Sequence, residues 1–345
     1  MKKRTMIFPY DLSLFHMINY KDNMEKYEIT DVVSFRSWGL CGKDAGANLG
    51  LRTGMLVSDN FIQSMENVDA VMLADSNISV DSKVMTEYIE KASQAGKEIV
   101  DIRKVAWQVS NKEFITDGQN NGLLQLKEPT VPIVFVLGTG ENTGKFDIQL
   151  YVRKMFLNEG YTVSQIGSKN YCELFGFHSF PEFMSAPYTA QQIILFNHYL
   201  NRIINKENPD VVIVGVPGGV LPLSDKLLDD FGLLNFLISN AVTPDYVILN
   251  TGYVSYNREY ILSMVDGIRQ KFGYEVDSVF LSNYMINWEA TDSLDRLCYI
   301  TLPVDIVNET AKNCNCYTIF NQESMEKFSK KMLTTLMQYS DFETV

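Results

Sequence analysis

Short apolar runs alternate with stretches whose apolar positions recur at helical spacing, and the alternation continues along the whole chain. Alternation of this kind marks parallel βα units, so the chain is read as α/β throughout. In the first half the strands fall at Thr5–Pro9, Asp31–Phe35, Ala70–Ala74 and Glu98–Asp101, and a helix over Ser82–Ala95 is closed by Gly96. A glycine just past a helix accepts the left-handed conformation that ends it. This order predicts a Rossmann-like first domain.

Periodicity then lapses. Asp117-Gly118-Gln119-Asn120-Asn121-Gly122 and Lys127-Glu128-Pro129 collect turn formers, which predicts a junction and domains at 1–128 and 129–345. Beyond it, strands at Ile133–Leu137, Thr162–Ile166, Val211–Val214, Tyr246–Asn250, Ser278–Leu281, Tyr299–Leu302 and Cys316–Phe320 alternate with helices. The helices are Lys145–Asn158, Thr189–Asn205, Arg258–Phe272 and Gln322–Gln338. The second domain is expected to carry a mainly parallel sheet. At 345 residues with 46% hydrophobic positions, the chain has the length and apolar content for two packed cores.

The first strand of the second half runs straight into a glycine-rich loop, Gly138-Thr139-Gly140-Glu141-Asn142-Thr143-Gly144-Lys145, and then into a helix. Strand, loop and helix in this order make a P-loop: backbone N–H groups curl around an anion, the helix aims its positive end at it, and the lysine adds a mobile charge. The loop residues, Lys145 and Phe146 are therefore the candidate phosphate contacts, with Lys145 also the candidate catalytic charge.

Two positions depart from the usual magnesium-dependent pattern. The residue after the lysine should offer a hydroxyl to the metal, and it is Phe146. A carboxylate is expected at the end of the neighbouring strand, and Val211-Val212-Ile213-Val214-Gly215-Val216-Pro217-Gly218-Gly219 has none, since Asp210 stands at the other end. No metal ligand is assigned, and binding without hydrolysis is expected. Glu141 and Asp147 remain as unusual routes to a metal; against that, Glu141 is read as solvated and Asp147 as an electrostatic partner of the helix N-terminus.

The P-loop resembles that of dethiobiotin synthetase and its relatives, and Gly215-Val216-Pro217-Gly218-Gly219 resembles the turn that carries that group's acid, with Gly215 in the acid's place. The two-domain layout is similar to the D-glutamate N-acetyltransferase family. The stretches Trp38-Gly39-Leu40-Cys41-Gly42-Lys43-Asp44-Ala45-Gly46 and Gly167-Ser168-Lys169-Asn170-Tyr171-Cys172-Glu173-Leu174-Phe175-Gly176-Phe177-His178 resemble a bacterial peptide maturation system protein family. That last resemblance implies a precursor peptide and a radical SAM enzyme as partners. The acetyltransferase likeness implies that coenzyme A, which also carries a pyrophosphate, could use a metal-free P-loop.

Further candidates follow from position. Ser168 and Lys169 lie at the carboxyl end of a strand, where open α/β sheets hold ligands, and Pro217, Gly218 and Gly219 shape a loop beside the P-loop. His178 is the histidine best suited to acid–base work, with a structural role as the alternative; His16 and His198 are read as packing or surface positions. Cys172 is a weak nucleophile candidate, because no third group orients it towards His178. Asn283-Tyr284-Met285-Ile286-Asn287-Trp288 could cover an adenine or a peptide, with buried packing as the default.

The net charge of −12 repels phosphate backbones and anionic lipid, and the single basic cluster, Lys2-Lys3-Arg4, is terminal. Nucleic acid and membrane are therefore not expected partners. No apolar run is long enough to span a bilayer, and five cysteines without a CxxC pair suit reduced thiols, which together predict a cytoplasmic protein. A homo-oligomer is left open. Three functions stand: a protein binding ATP or another nucleotide in peptide maturation, a coenzyme A-dependent acyltransferase, and a non-catalytic partner with a degenerate P-loop.

Overall fold

A computed structural model describes residues 1–76, 78, 80–103, 125–140, 143–224, 228–254, 257–294 and 297–340. Glu141, Asn142 and the junction stretch Asp117–Gly122 lie outside the described residues. The chain divides into two compact units. The first takes in the described residues of Met1–Val109 with Asn170–Gly176 and Ile286–Pro303, and the second the described residues of Ser110–Lys169, Phe177–Met285 and Val304–Val345.

The first unit is built on a parallel five-stranded sheet: β1 (Lys3–Phe8), β2 (Tyr27–Val33), β3 (Val57–Ser58), β4 (Ala70–Leu73) and β5 (Glu98–Asp101), in the order 3-2-1-4-5. The same order is met in doubly wound dinucleotide-binding sheets. Every residue of β4 is buried, as expected for a strand covered on both faces. Met6, Phe8, Val71 and Leu73 pack against Phe61 and Met65 of α2 (Phe61–Glu66) and Met85 and Ala92 of α3 (Ser82–Gln94). The expected strand at Asp31–Phe35 starts earlier, at Tyr27, because the alternation of Tyr27, Ile29 and the neighbouring charged residues pairs with β1. A short helix, α1 (Phe15–Asn19), buries His16.

The second unit holds a six-stranded parallel sheet of β6 (Ile133–Gly138), β7 (Val163–Gly167), β8 (His178–Ser179), β9 (Val211–Gly215), β10 (Tyr246–Thr251) and β11 (Ser278–Leu281), in the order 11-10-6-9-7-8. Alternate strand residues sort into two cores. Phe135, Leu137, Val212 and Val214 pack against α5 (Gln191–Glu207), α6 (Leu233–Ala241) and α7 (Arg258–Phe272). Val134, Val136, Val211 and Ile213 pack against α4 (Lys145–Asn158) and, later in the chain, the helix Gln322–Ser340. Burying one such Val, Ile or Phe side chain contributes roughly 1.5–3 kcal/mol, so this three-layer core holds the ends of β6, β9 and β7 rigidly side by side.

The entry into this unit is clamped by Asn197 of α5, whose Oδ1 accepts from Lys127 N at 2.9 Å and whose Nδ2 donates to Lys127 O at 2.8 Å. One expected strand is corrected: Cys316–Phe320 forms a single parallel bridge, Tyr317 to Phe280, instead of a strand. The α-helices Val304–Cys314 and Gln322–Ser340 stand close on either side of it and leave too few residues for a ladder to extend. Among the described residues no helix is long and apolar enough to cross a membrane.

Candidate functional site

The P-loop sits where the central strand of the six-stranded sheet ends. β6 leads through Gly138 and Thr139, and α4 starts at Lys145 after Gly144, whose φ of 80° and ψ of 12° are left-handed and so suit glycine. A Cβ at Gly138 would lie 2.7 Å from Thr143 Oγ1 and 3.1 Å from Lys145 Cδ, so the fold of the loop also needs a glycine there. Because Glu141 and Asn142 lie outside the described residues, the loop is defined by its two ends.

Both ends are held by one residue that sequence reasoning passed over. Asn250, near the end of β10, accepts from Thr139 N through its backbone carbonyl at 2.9 Å and donates from Nδ2 to Thr143 O at 2.6 Å. The following residue, Thr251, places its hydroxyl 3.3 Å from that of Thr139. The signal for this was slight: an asparagine at the carboxyl end of a strand beside β6, whose neighbours only the sheet order reveals.

Lys145 is buried and its ammonium donates to the carbonyl oxygen of Gly218. The turn that supplies this carbonyl is stitched to β6 by Val216 N to Val136 O at 3.1 Å and Val220 N to Gly138 O at 2.9 Å. Pro217, Gly218 and Gly219 therefore lie beside the loop, and Leu223 comes within 3.1 Å of where a Cβ of Gly140 would be. On the other side, Tyr284 and Ser282 come within 3.6 Å of the corresponding position at Gly144.

Gln149, one helical turn after Lys145 and on the same face of α4, is fully buried. Its Oε1 accepts from Ser168 N at 3.1 Å and its Nε2 donates to Ser168 Oγ at 2.9 Å, just past the end of β7. A Cβ on Gly215, at the end of β9, would overlap the same carboxamide. Lys145, Gln149, Ser168 and Gly218 thus gather at the carboxyl ends of three adjacent strands.

A magnesium ion at a P-loop needs the hydroxyl after the lysine and a strand-end carboxylate. Phe146 is 2% exposed and its ring centroid lies 6.1 Å from that of Phe177, so the first donor is replaced by core packing. The place of the second is taken by Gln149. Among the described residues no group of three or more His, Cys, Asp or Glu could hold a metal ion. Among the described residues the side chains at these two places do not fit magnesium.

Asp147 differs from its sequence reading. It is buried, and desolvation pushes its carboxyl up to about 7, with the charge of Lys169 opposing the shift. Near neutral pH such a carboxyl is only partly ionised, so its charge at the helix end is weaker than its position suggested, because loss of hydration opposes the attraction of the helix terminus.

His178 lies on the edge strand β8 with Nε2 2.6 Å from Glu207 Oε1, and Ser164 Oγ donates to Glu207 Oε2 at 2.5 Å. Burial works against ionisation of Glu207, yet these two hydrogen bonds hold its carboxyl below the usual range. Cys172 is buried in a 3-10 turn, Cys172–Phe175, of the first unit, where His16 Nε2 stands 3.0 Å from Tyr171 OH. His198 Nε2 lies 3.2 Å from Gln125 O.

In the Gly39–Gly46 loop, Asp44 accepts from the N–H groups of Gly46, Thr53 and Gly54 and from the Thr53 hydroxyl. Burial works against its ionisation, but those donors bring its pKa down. Asp44 is spent on shaping the loop. Trp288 is 45% exposed, which corrects the expectation of buried packing at that end of the aromatic segment.

The sequence matches no protein-family model and no curated protein. Among solved structures the chain is similar to a DUF1611 family protein from Anabaena variabilis, at a TM-score of 0.56 and 12% identity, over 98% of this chain and 100% of that one. It overlaps chloroplast FtsY from Physcomitrella patens at a TM-score of 0.29 and 19% identity, covering 49% of this chain and 55% of that one. It also overlaps a nucleotide-binding protein in complex with ADP from Archaeoglobus fulgidus at a TM-score of 0.29 and 9% identity, covering 58% and 86%. Both latter scores are too low to carry an argument, whereas the likeness to the DUF1611 protein extends along the two-unit α/β fold as a whole.

Proposed function

We propose that this protein binds a pyrophosphate-bearing cofactor, a nucleotide or coenzyme A, on the Gly138–Lys145 loop without a divalent metal. The observation that carries this is the gathering of Lys145, the start of α4 and the Gly218 turn at the carboxyl ends of β6 and β9. In an open parallel sheet that is where ligands bind, and an unclosed helix N-terminus with a lysine beside it favours an anion. Ser168 and Lys169 are the proposed additional contacts. The likeness of residues 38–46 and 167–178 to a peptide maturation family supports a ribosomally made peptide as the second ligand.

Coenzyme A-dependent acyl transfer is the second reading, favoured by the donor set: Phe146 and Gln149 stand where magnesium ligands would, and acyl transfer needs no metal on the pyrophosphate. Titration calorimetry with ATP, GTP and acetyl-coenzyme A, with and without Mg²⁺, separates the two. A ligand that binds the wild type should lose about 10- to 100-fold in affinity for Lys145→Ala, the usual worth of a hydrogen bond to a charged group. Acetyl-coenzyme A binding without metal would select acyl transfer. Failure of all three ligands would overturn the reading and leave a non-catalytic partner protein.

A further inference from the structure

The hydrogen-bond network around Ser168 fixes the direction of each bond. Ser168 N can only donate, so the Gln149 atom facing it is Oε1. The atom facing Ser168 Oγ is then Nε2, which can only donate, so the serine oxygen accepts. Among the described residues Ser168 makes no other side-chain hydrogen bond, which leaves its own hydroxyl proton to donate. Gln149 in turn has both amide atoms spent and is 0% exposed.

The same carboxamide fills the space that a side chain at position 215 would enter. One residue therefore removes the place of the metal-side acid and orients a neutral donor at the ends of β7 and β9. Lys145 lies four positions earlier on the same helix face, so both act on one side of α4.

We propose that Gln149 is the specificity-determining residue of this P-loop: it selects a metal-free di- or polyphosphate group by replacing the metal-side carboxylate and aiming the Ser168 hydroxyl at a phosphate oxygen. The inference rests on phosphate binding at Lys145. Gln149 acts through Ser168 and is a positioning residue, and an uncharged carboxamide adds no repulsion to an anion that arrives without its magnesium. A carboxylate at the same place would repel that anion until a cation came between them.

The test is calorimetric binding of inorganic pyrophosphate, with and without Mg²⁺, to the full chain and to Gln149→Glu, Gln149→Ala, Ser168→Ala and Lys145→Ala. Wild type should bind in the absence of metal and gain nothing from Mg²⁺. Ser168→Ala and Gln149→Ala should each weaken metal-free binding about three- to tenfold, the net worth of one neutral hydrogen bond. Gln149→Glu, nearly the same shape, should lose metal-free binding and recover at least tenfold of it on adding Mg²⁺. That metal dependence is a readout that mere loosening of the fold would not create, and thermal melting of each variant shows which are folded. Metal-free binding by Gln149→Glu equal to wild type overturns the role of Gln149 while leaving the P-loop reading intact, and a wild type that requires Mg²⁺ overturns that role together with the metal-free part of the P-loop reading. No effect of Lys145→Ala, or no binding by wild type, overturns the P-loop reading and this inference with it. Should Gln149→Glu fail to fold, undiminished binding by Ser168→Ala alone overturns the proposal.

Discussion

A carboxylate in the first turn of a helix ordinarily gains from ionising, because the helix N-terminus is electropositive. Asp147 stands in that place, yet burial pushes its carboxyl up to about 7 against the pull of Lys169. In the unfolded chain it titrates near 4. Below that value both states hold the proton and the residue contributes nothing to the pH dependence. Between about 4 and 7 the unfolded chain has released the proton while the folded one keeps it, so stability falls as pH rises through that window, and the full penalty is present above it. Asp147→Asn should therefore raise the melting temperature at pH 8 and change it much less at pH 4. An equal shift at both values would mean that the carboxyl ionises freely in the folded protein. None of this was legible from the sequence, where Asp147 shows its spacing from Lys145 but not its burial.

At the scale of elements, the P-loop unit was the most legible part of the chain: the apolar run of β6, the glycines and the apolar face of α4 set the helix at Lys145–Asn158 as read. Short-range patterns suffice where a strand, a turn and a helix follow one another directly. Helix α6 was not anticipated, since Leu233-Leu234-Asn235-Phe236-Leu237-Ile238 is apolar almost throughout and shows no helical period. The asparagine that braces the loop was equally hidden, because its partners, Thr139 and Thr143, are more than a hundred positions away. Asn250→Ala removes the donor to Thr143 O and leaves that carbonyl unpaired in a buried place, at a cost of about 1–3 kcal/mol. It should lower the melting temperature and also weaken pyrophosphate binding, since the loop N–H groups lose their fixed aim. A variant that melts earlier but binds as wild type would show that the loop is held by other contacts.

At the scale of the molecule, the sequence suggested two successive domains, whereas the chain enters its first unit three times. The first of the two later visits, Asn170–Gly176, is short, and the second, Ile286–Pro303, carries a helix and a strand of its own. In the first of them Asn170 donates from Nδ2 to Ile102 O and Arg103 O, each at 3.3 Å, Tyr171 OH meets buried His16, and Cys172 and Phe175 are buried. In the second, Asn287 N donates to Cys298 O at 2.8 Å. A lapse of periodicity marks the single junction at 128/129, whereas the returns at Asn170–Gly176 and Ile286–Pro303 are set by tertiary contacts that no local pattern in the sequence displays. A cut there strips Asn170–Gly176 of the partners that bury Tyr171, Cys172 and Phe175, and exposes large apolar side chains on a fragment that still carries the P-loop. Residues 129–345 expressed alone should therefore bind a hydrophobic dye, aggregate at concentrations where the whole chain stays dispersed, and become soluble when residues 1–128 are supplied as a separate chain. A stable, dye-free fragment that binds pyrophosphate as the full chain does would show instead that the returning segments add nothing to the second unit, and that the P-loop unit is self-sufficient.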